Sequence, residues 1–172
     1  MRGGYGLLRK TPYTFLATVS TVVVIFDQLT KNWIQSTLDL WEARSVISGF
    51  LNLVYYMNKG AAFGFLNRDD MNWQPYFFLL ASVLAIILIL YLARSKEYQD
   101  SLSRLGLGLL LGGAVGNMID RVRFGAVVDF LDFFINGHHW PAFNVADMAI
   151  CTGTACLLVT LYQRKRHASG SH

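Results

Sequence analysis

The sequence predicts an all-α membrane protein, a bundle of four transmembrane helices with a short stretch of β structure on one surface. Three observations predict it. Of 172 residues, 53% are hydrophobic and only 15% charged, against about 25% charged in an ordinary soluble domain. The shortfall is concentrated in long apolar runs. Basic residues cluster at the ends of those runs, as Arg9–Lys10, Arg94 with Lys96, and Arg164–Lys165–Arg166.

A bilayer core about 30 Å thick takes about 20 mostly apolar residues in a helix. Four stretches meet or approach that length: residues 13–34, 76–93, the glycine-rich 102–119, and 141–162. The length suits one domain, residues 1–172. The first run ends in Asp27-Gln28-Leu29-Thr30-Lys31 rather than a small-residue cleavage site, so it is expected to remain as a span.

Arg2, Arg9 and Lys10 precede the first run, Arg94, Lys96 and Arg104 crowd the second connection, and Arg164–Lys165–Arg166 follow the last run. Placing all three groups inside satisfies the positive-inside rule and leaves both termini cytoplasmic. Trp33, Trp41, Trp73 and Trp140 then fall near the outer surface, as an interfacial belt would. Arg121 and Arg123 also fall outside and need another purpose. No basic stripe is interleaved with exposed aromatics, so no nucleic-acid partner is expected.

Residues 44–66 differ from the rest. The β-prone Phe50-Leu51-Asn52-Leu53-Val54-Tyr55-Tyr56 leads to the turn-like Asn58-Lys59-Gly60, which predicts short strands or a hairpin on the outer surface. In the third run Gly108, Gly112 and Gly116 recur at intervals of four and form one smooth helical face, suited to close helix packing. Cys151 and Cys156 lie five apart on different helical faces, so they are read as small apolar side chains rather than a disulfide.

Ionisable groups in or beside a membrane span are costly and point to function. Asp27 and Lys31, four apart, share a face near the outer end of the first span and can pair. Asn117, Asp120 and Arg121 stand at the outer end of the third, where an Asp120–Arg121 strut fixing the helix end is the plainer reading. Asp129 and Asp132 follow in what reads as a loop, 127–132, and Asn144 with Asp147 opens the fourth span. All of these meet at one surface.

Asp129 and Asp147 stand in apolar settings with no basic residue within four positions. A buried carboxylate there must be protonated or paired. Two such groups can share a proton, one drawing a proton from water while the other hydrogen-bonds a carbonyl, the division of labour in aspartic proteases. From spacing alone Asp120 or Asp132 serves equally well as the second member. No His-Glu-x-x-His motif favours a zinc peptidase, the adjacent His138–His139 suit a metal poorly, and no Ser–Lys pair or phosphate loop stands in a recognisable setting.

Five blocks resemble the bacterial prolipoprotein signal peptidase family, also called signal peptidase II. They are Asp27-Gln28-Leu29-Thr30-Lys31; Asn58-Lys59-Gly60-Ala61-Ala62-Phe63-Gly64; Gly112-Gly113-Ala114-Val115-Gly116-Asn117-Met118-Ile119-Asp120-Arg121; Val127-Val128-Asp129-Phe130; and Phe143-Asn144-Val145-Ala146-Asp147. They occur in the family's order from the first span to the last, with Lys59 at a permissive spot. The resemblance implies a four-helix bundle with a small extracytoplasmic β-sheet cradle. It implies an Asp129–Asp147 catalytic dyad, with Asp27, Lys31, Asn58, Gly60, Asn117, Asp120, Arg121 and Asn144 lining or bracing the site.

The implied reaction cuts before a diacylglyceryl-modified cysteine of a prolipoprotein, without metal or organic cofactor. Globomycin-type inhibitors and membrane lipids are the implied ligands, and a monomer in the bacterial inner membrane is expected. On that basis the glycine face of the third span could seat a substrate chain, in which case Gly112→Leu would harm processing more than folding. The rival readings are a small transporter, which would spread polar groups to the midplane and both sides, and a scaffold whose aspartates only hold helices together.

Overall fold

A computed structural model describes residues 12–60 and 73–169. Four helices run through it: α1 Pro12–Thr37, α2 Gln74–Arg94, α3 Ser101–Phe124 and α4 Val145–Ser169. Each is long and apolar enough to cross a membrane. Between α1 and α2 lie strands β1 Ala43–Ile47 and β2 Leu51–Asn58, and between α3 and α4 lie β3 Val127–Ile135 and β4 His138–His139. The four strands form one antiparallel series in the order β1-β2-β3-β4. Because both strand-bearing connections join the same ends of successive helices, the sheet caps one end of the bundle.

Local chemistry sets the boundaries. Asp100 caps α3, its carboxylate accepting from the Ser103 amide at 2.8 Å and the Ser103 hydroxyl at 2.7 Å. Gly125, at φ 69, ends the same helix in the left-handed region. Pro75 opens α2, where its missing N–H costs nothing. Asn136-Gly137, at φ 51 and 77, makes the tight turn from β3 to β4.

Helix α3 lies in the middle, packed on α1, α2 and α4. Its glycines permit this. A Cβ on Gly108 would stand 2.9 Å from that of Val19, and one on Gly112 would stand 2.6 Å from that of Val23 and 2.9 Å from the Ser20 carbonyl. On the other side Gly106 meets Gly153, and Gly113 lies against the Ala146 carbonyl. The glycine face is therefore filled by α1, which overturns the idea that it seats a substrate chain. Leucine at Gly112 would break the bundle itself.

Two further expectations change. Residues 127–132 are not a loop but the first part of β3, buried on both faces. The fourth helix begins at Val145 rather than near 141, because residues 138–143 continue the sheet through β4 and the Leu131–Phe143 bridge. The basic residues Arg2, Arg9 and Lys10, and positions 61–66 of the outer β segment, lie outside the described residues. Cys151 and Cys156 are free thiols.

One face of the sheet packs on the end of α1, where Ile34 and Leu38 meet Val128 and Phe130. The opposite face carries Tyr56 and Asn58 of β2 beside Val127 and Asp129 of β3, since Tyr56 pairs with Asp129 and Asn58 with Val127. That second face looks over a cleft.

Candidate active site

The cleft has a volume of about 220 Å³ and is walled by α2, α3, α4 and β3. Asp129, Asp147, Asn58, Asn117 and Arg121 line it, with Ala81, Ala85 and Ile150 among its apolar walls. Asp129 and Asp147 therefore open into one space rather than separate ones. Asp129 is 3% exposed.

Three asparagines hold the two carboxylates. Asn58 donates to one oxygen of Asp129 at 2.9 Å, and Asn144 donates to the other at 2.8 Å. Asn144 also forms a reciprocal cap with Asp147. Its side-chain oxygen accepts from the Asp147 amide at 3.0 Å, while its own amide donates to the Asp147 carboxylate at 3.3 Å. This is a capping box in Asn–Asp form, and it fixes Asp147 in the first turn of α4. Asn117 donates to the remaining Asp147 oxygen at 2.8 Å.

Each amide has one possible orientation. Asn58 accepts the Gly60 amide at 2.9 Å, and Asn117 accepts from the Lys31 ammonium at 3.0 Å, so the NH₂ groups must face the aspartates. Burial and the nearby Asp147 carboxylate push the Asp129 carboxyl up to about 7, against the opposing pull of the Asn58 and Asn144 hydrogen bonds and of Lys31.

Beneath this pair lies a second acidic cluster. Lys31, with its side chain 2% exposed, is paired to Asp27 at 2.9 Å and to Asp120 at 2.8 Å. Asp27 also accepts from the Ala146 amide at 2.9 Å, and Asp120 from the Val128 amide at 3.1 Å. These bonds tie α1 and α3 to the residues next to Asp147 and Asp129. Gln28, whose role no sequence spacing signals, donates to Asp27, Asp120 and the Gly116 carbonyl. Its place among charged residues inside an apolar run was the available signal.

The proposed Asp120–Arg121 strut does not form. Successive helical residues diverge, so Asp120 turns to Lys31 while Arg121 turns toward α2. Arg121 donates to the Gly60 carbonyl at 3.2 Å and the Ser82 hydroxyl at 3.4 Å, and its guanidinium lies 5.6 Å from the Phe78 ring centre. Asp132 points to the other end of the sheet. It accepts from Asn52 at 2.9 Å and lies 2.8 Å from the His139 ring nitrogen. Neither Asp120 nor Asp132 lines the cleft, which Asp129 shares with Asp147.

A family model for signal peptidase (SPase) II matches residues 19–163. The chain belongs to the signal peptidase II family. It is 48% identical to a lipoprotein signal peptidase of Maridesulfovibrio salexigens, over 89% of this chain and 98% of that one. A second lipoprotein signal peptidase, from Oleidesulfovibrio alaskensis, is 49% identical over 86% and 94% of the two chains. A solved bacterial membrane enzyme superposes with a TM-score of 0.77 at 32% identity, covering 92% of this chain and 91% of that one. As in that family, this is a multi-pass membrane protein and an aspartic-type signal peptidase, a peptide-bond hydrolase.

Proposed function

We propose that Asp129 and Asp147 are the catalytic pair with which this chain removes signal peptides from prolipoproteins, cutting before the diacylglyceryl-modified cysteine. Family membership supports the reaction. The observation that carries the residue roles is the bridge through Asn144, which holds both carboxylates over one cleft.

Near neutral pH the Asp129 carboxyl retains a proton, being pushed up to about 7 by burial and by Asp147. Asp147 takes a proton from a water molecule, and the oxygen of that water adds to the scissile carbonyl carbon. Asp129 donates its hydrogen bond to the carbonyl oxygen as charge develops there. Collapse of the tetrahedral intermediate breaks the C–N bond, and the departing cysteine nitrogen takes up a proton from the pair. Asn58, Asn117 and Asn144 orient the carboxylates. Asp27, Lys31 and Asp120 brace the helices that carry them, and Arg121 with Gly60 closes the rim beside Asn58.

The sheet-bearing end, ringed by the exposed Trp33, Trp41, Trp73 and Trp140, faces the extracytoplasmic side of the bacterial inner membrane, and both termini are cytoplasmic. The cleft is lined by residues of the spanning helices α2, α3 and α4, so a signal helix and acyl chains reach it from the bilayer. Globomycin-type cyclic peptides occupy the same cleft, and a monomer suffices.

The test is cleavage of a diacylglyceryl-modified precursor by the detergent-purified chain, with the cut mapped by mass spectrometry. The expected product begins at the modified cysteine. A cut elsewhere, or none, sinks the reading.

A further inference from the structure

The sheet face that bears Asp129 continues across the strands to a pair of aromatic side chains that take no part in the proposed catalysis. Tyr56 is the direct cross-strand partner of Asp129, so the two side chains rise from the same face, with Cβ atoms about 5 Å apart. Trp41 lies on Tyr56, ring centres 5.4 Å apart and planes tilted by 38°. Trp41 is 63% exposed, although its backbone stands at φ 71, a left-handed conformation that a bulky side chain rarely adopts. The turn is pinned there, because the Trp41 amide donates to the Tyr55 carbonyl at 2.9 Å and the Tyr55 amide to the Glu42 carbonyl at 3.1 Å. An exposed aromatic held in an unfavourable backbone conformation, one ring away from the strand partner of Asp129, points to use by a ligand.

We propose that Tyr56 and Trp41 form a subsite for the polypeptide that follows the modified cysteine, gripping the leaving side of the substrate as it runs outward over the sheet. This rests on the peptidase reading above. The direction follows from continuity. On the membrane side of Asp129 the cleft is walled by Ala81, Ala85 and Ile150 of the spanning helices, which suit the signal segment. Away from those walls the same sheet face passes across the strands from Asp129 to Tyr56, and then to Trp41 in the segment between α1 and β1. An extended chain advances about 3.3 Å per residue, so a peptide bond held at Asp129 brings the second and third residues after the cut beneath the two rings. Aromatic faces grip extended backbone and apolar side chains while their polar edges stay in interfacial water. Recognition is therefore expected to depend on chain length past the cysteine rather than on charge.

Two precursors with the same signal segment and lipid separate this idea from the parent one. One ends a single residue after the cysteine, and the other continues for eight. Wild type should cut the longer with a kcat/KM about fivefold higher, the size of one aromatic contact. Trp41→Gly should abolish that preference by lowering kcat/KM on the longer precursor more than on the shorter. Glycine accepts φ 71, so its denaturation midpoint should hold. Trp41→Phe, which keeps a ring over Tyr56, should retain the preference.

An unchanged long-to-short ratio in Trp41→Gly overturns the proposal, as does an equal loss on both precursors. A loss that instead tracks acyl-chain length, in a third precursor with shortened chains, overturns it in favour of a lipid contact. Failure of wild type to cut either precursor would strike the peptidase reading instead.

Discussion

The protein buries two pairs of aspartates within one end of a small bundle and gives them opposite company. Asp27 and Asp120 share Lys31, whose ammonium lies 2.9 and 2.8 Å from them. Among the described residues Asp129 and Asp147 take their hydrogen bonds from neutral amides, those of Asn58, Asn117 and Asn144, with the Arg121 guanidinium lining the same cleft. Under the proposed function, that difference separates a strut from a reactive pair. A cation between two carboxylates balances their charge and locks helices together. Amides satisfy the oxygens without neutralising them, so burial and the repulsion between the two carboxylates favour a retained proton on Asp129. The two pairs touch through Asn117, which accepts from Lys31 and donates to Asp147.

The largest effect is expected from replacing each member of the amide-held pair by its amide. Asp129→Asn and Asp147→Asn should each lower kcat by about 10³-fold or more, since each removes a proton-transfer partner, with little change in the denaturation midpoint. Precursor cleavage in detergent, followed on gels, reads the first effect, and a thermal melt reads the second. If either variant retained near-wild-type turnover, the pair would not be the reactive one.

The lysine-held pair should answer in the opposite currency. Lys31→Met leaves two buried carboxylates facing each other. Breaking a buried pair on one side costs about 3–5 kcal/mol. The expected result is a protein that melts far lower or fails to purify, with activity lost only as the fold is lost. Gly112→Ala should behave similarly on a smaller scale, about 1–3 kcal/mol of overpacking, because its Cβ would stand 2.6 Å from that of Val23. A melt showing Gly112→Ala as stable as wild type, with impaired turnover, would restore the substrate-seat reading of that glycine face.

The sequence already carried the outline of this contrast. Span lengths, the β-prone run after Phe50 and the gathering of polar residues at one end follow from hydrophobic patterning, which membranes enforce strongly. Asp27 and Lys31 are four apart on a helix, so their pairing is a local matter. What stayed hidden is non-local. Val127-Val128-Asp129-Phe130-Leu131-Asp132 shows no alternation because β3 is covered on both faces, and without a period of two it resembles a loop. Asp120 finds its partner on α1 and Arg121 finds Ser82 on α2 and Gly60 after β2. No spacing rule reaches across 39 or 61 residues. Nor could spacing choose among Asp120, Asp132 and Asp147 as the companion of Asp129. The choice depends on which helix end meets which sheet face.

The finest test of the comparison concerns the proton that the amide-held pair retains. Asp129 is pushed up to about 7 by burial and by Asp147, and the Asn58 hydrogen bond works against that rise by stabilising the ionised form. The rate of cleavage should therefore fall as pH climbs through about 7, because the pair loses its last proton and with it the donor for the scissile carbonyl. Asn58→Ala removes one donor to the Asp129 carboxylate, which favours the protonated form further. The alkaline limb should then move to higher pH, even though the maximal rate drops as Asp129 becomes less well oriented. Kinetics of a fluorogenic precursor between pH 5 and 9, an interval of about two units either side of neutrality, read both quantities separately. A limb that moves to lower pH, or stays fixed while the maximum falls, would mean that the group titrating there is not Asp129.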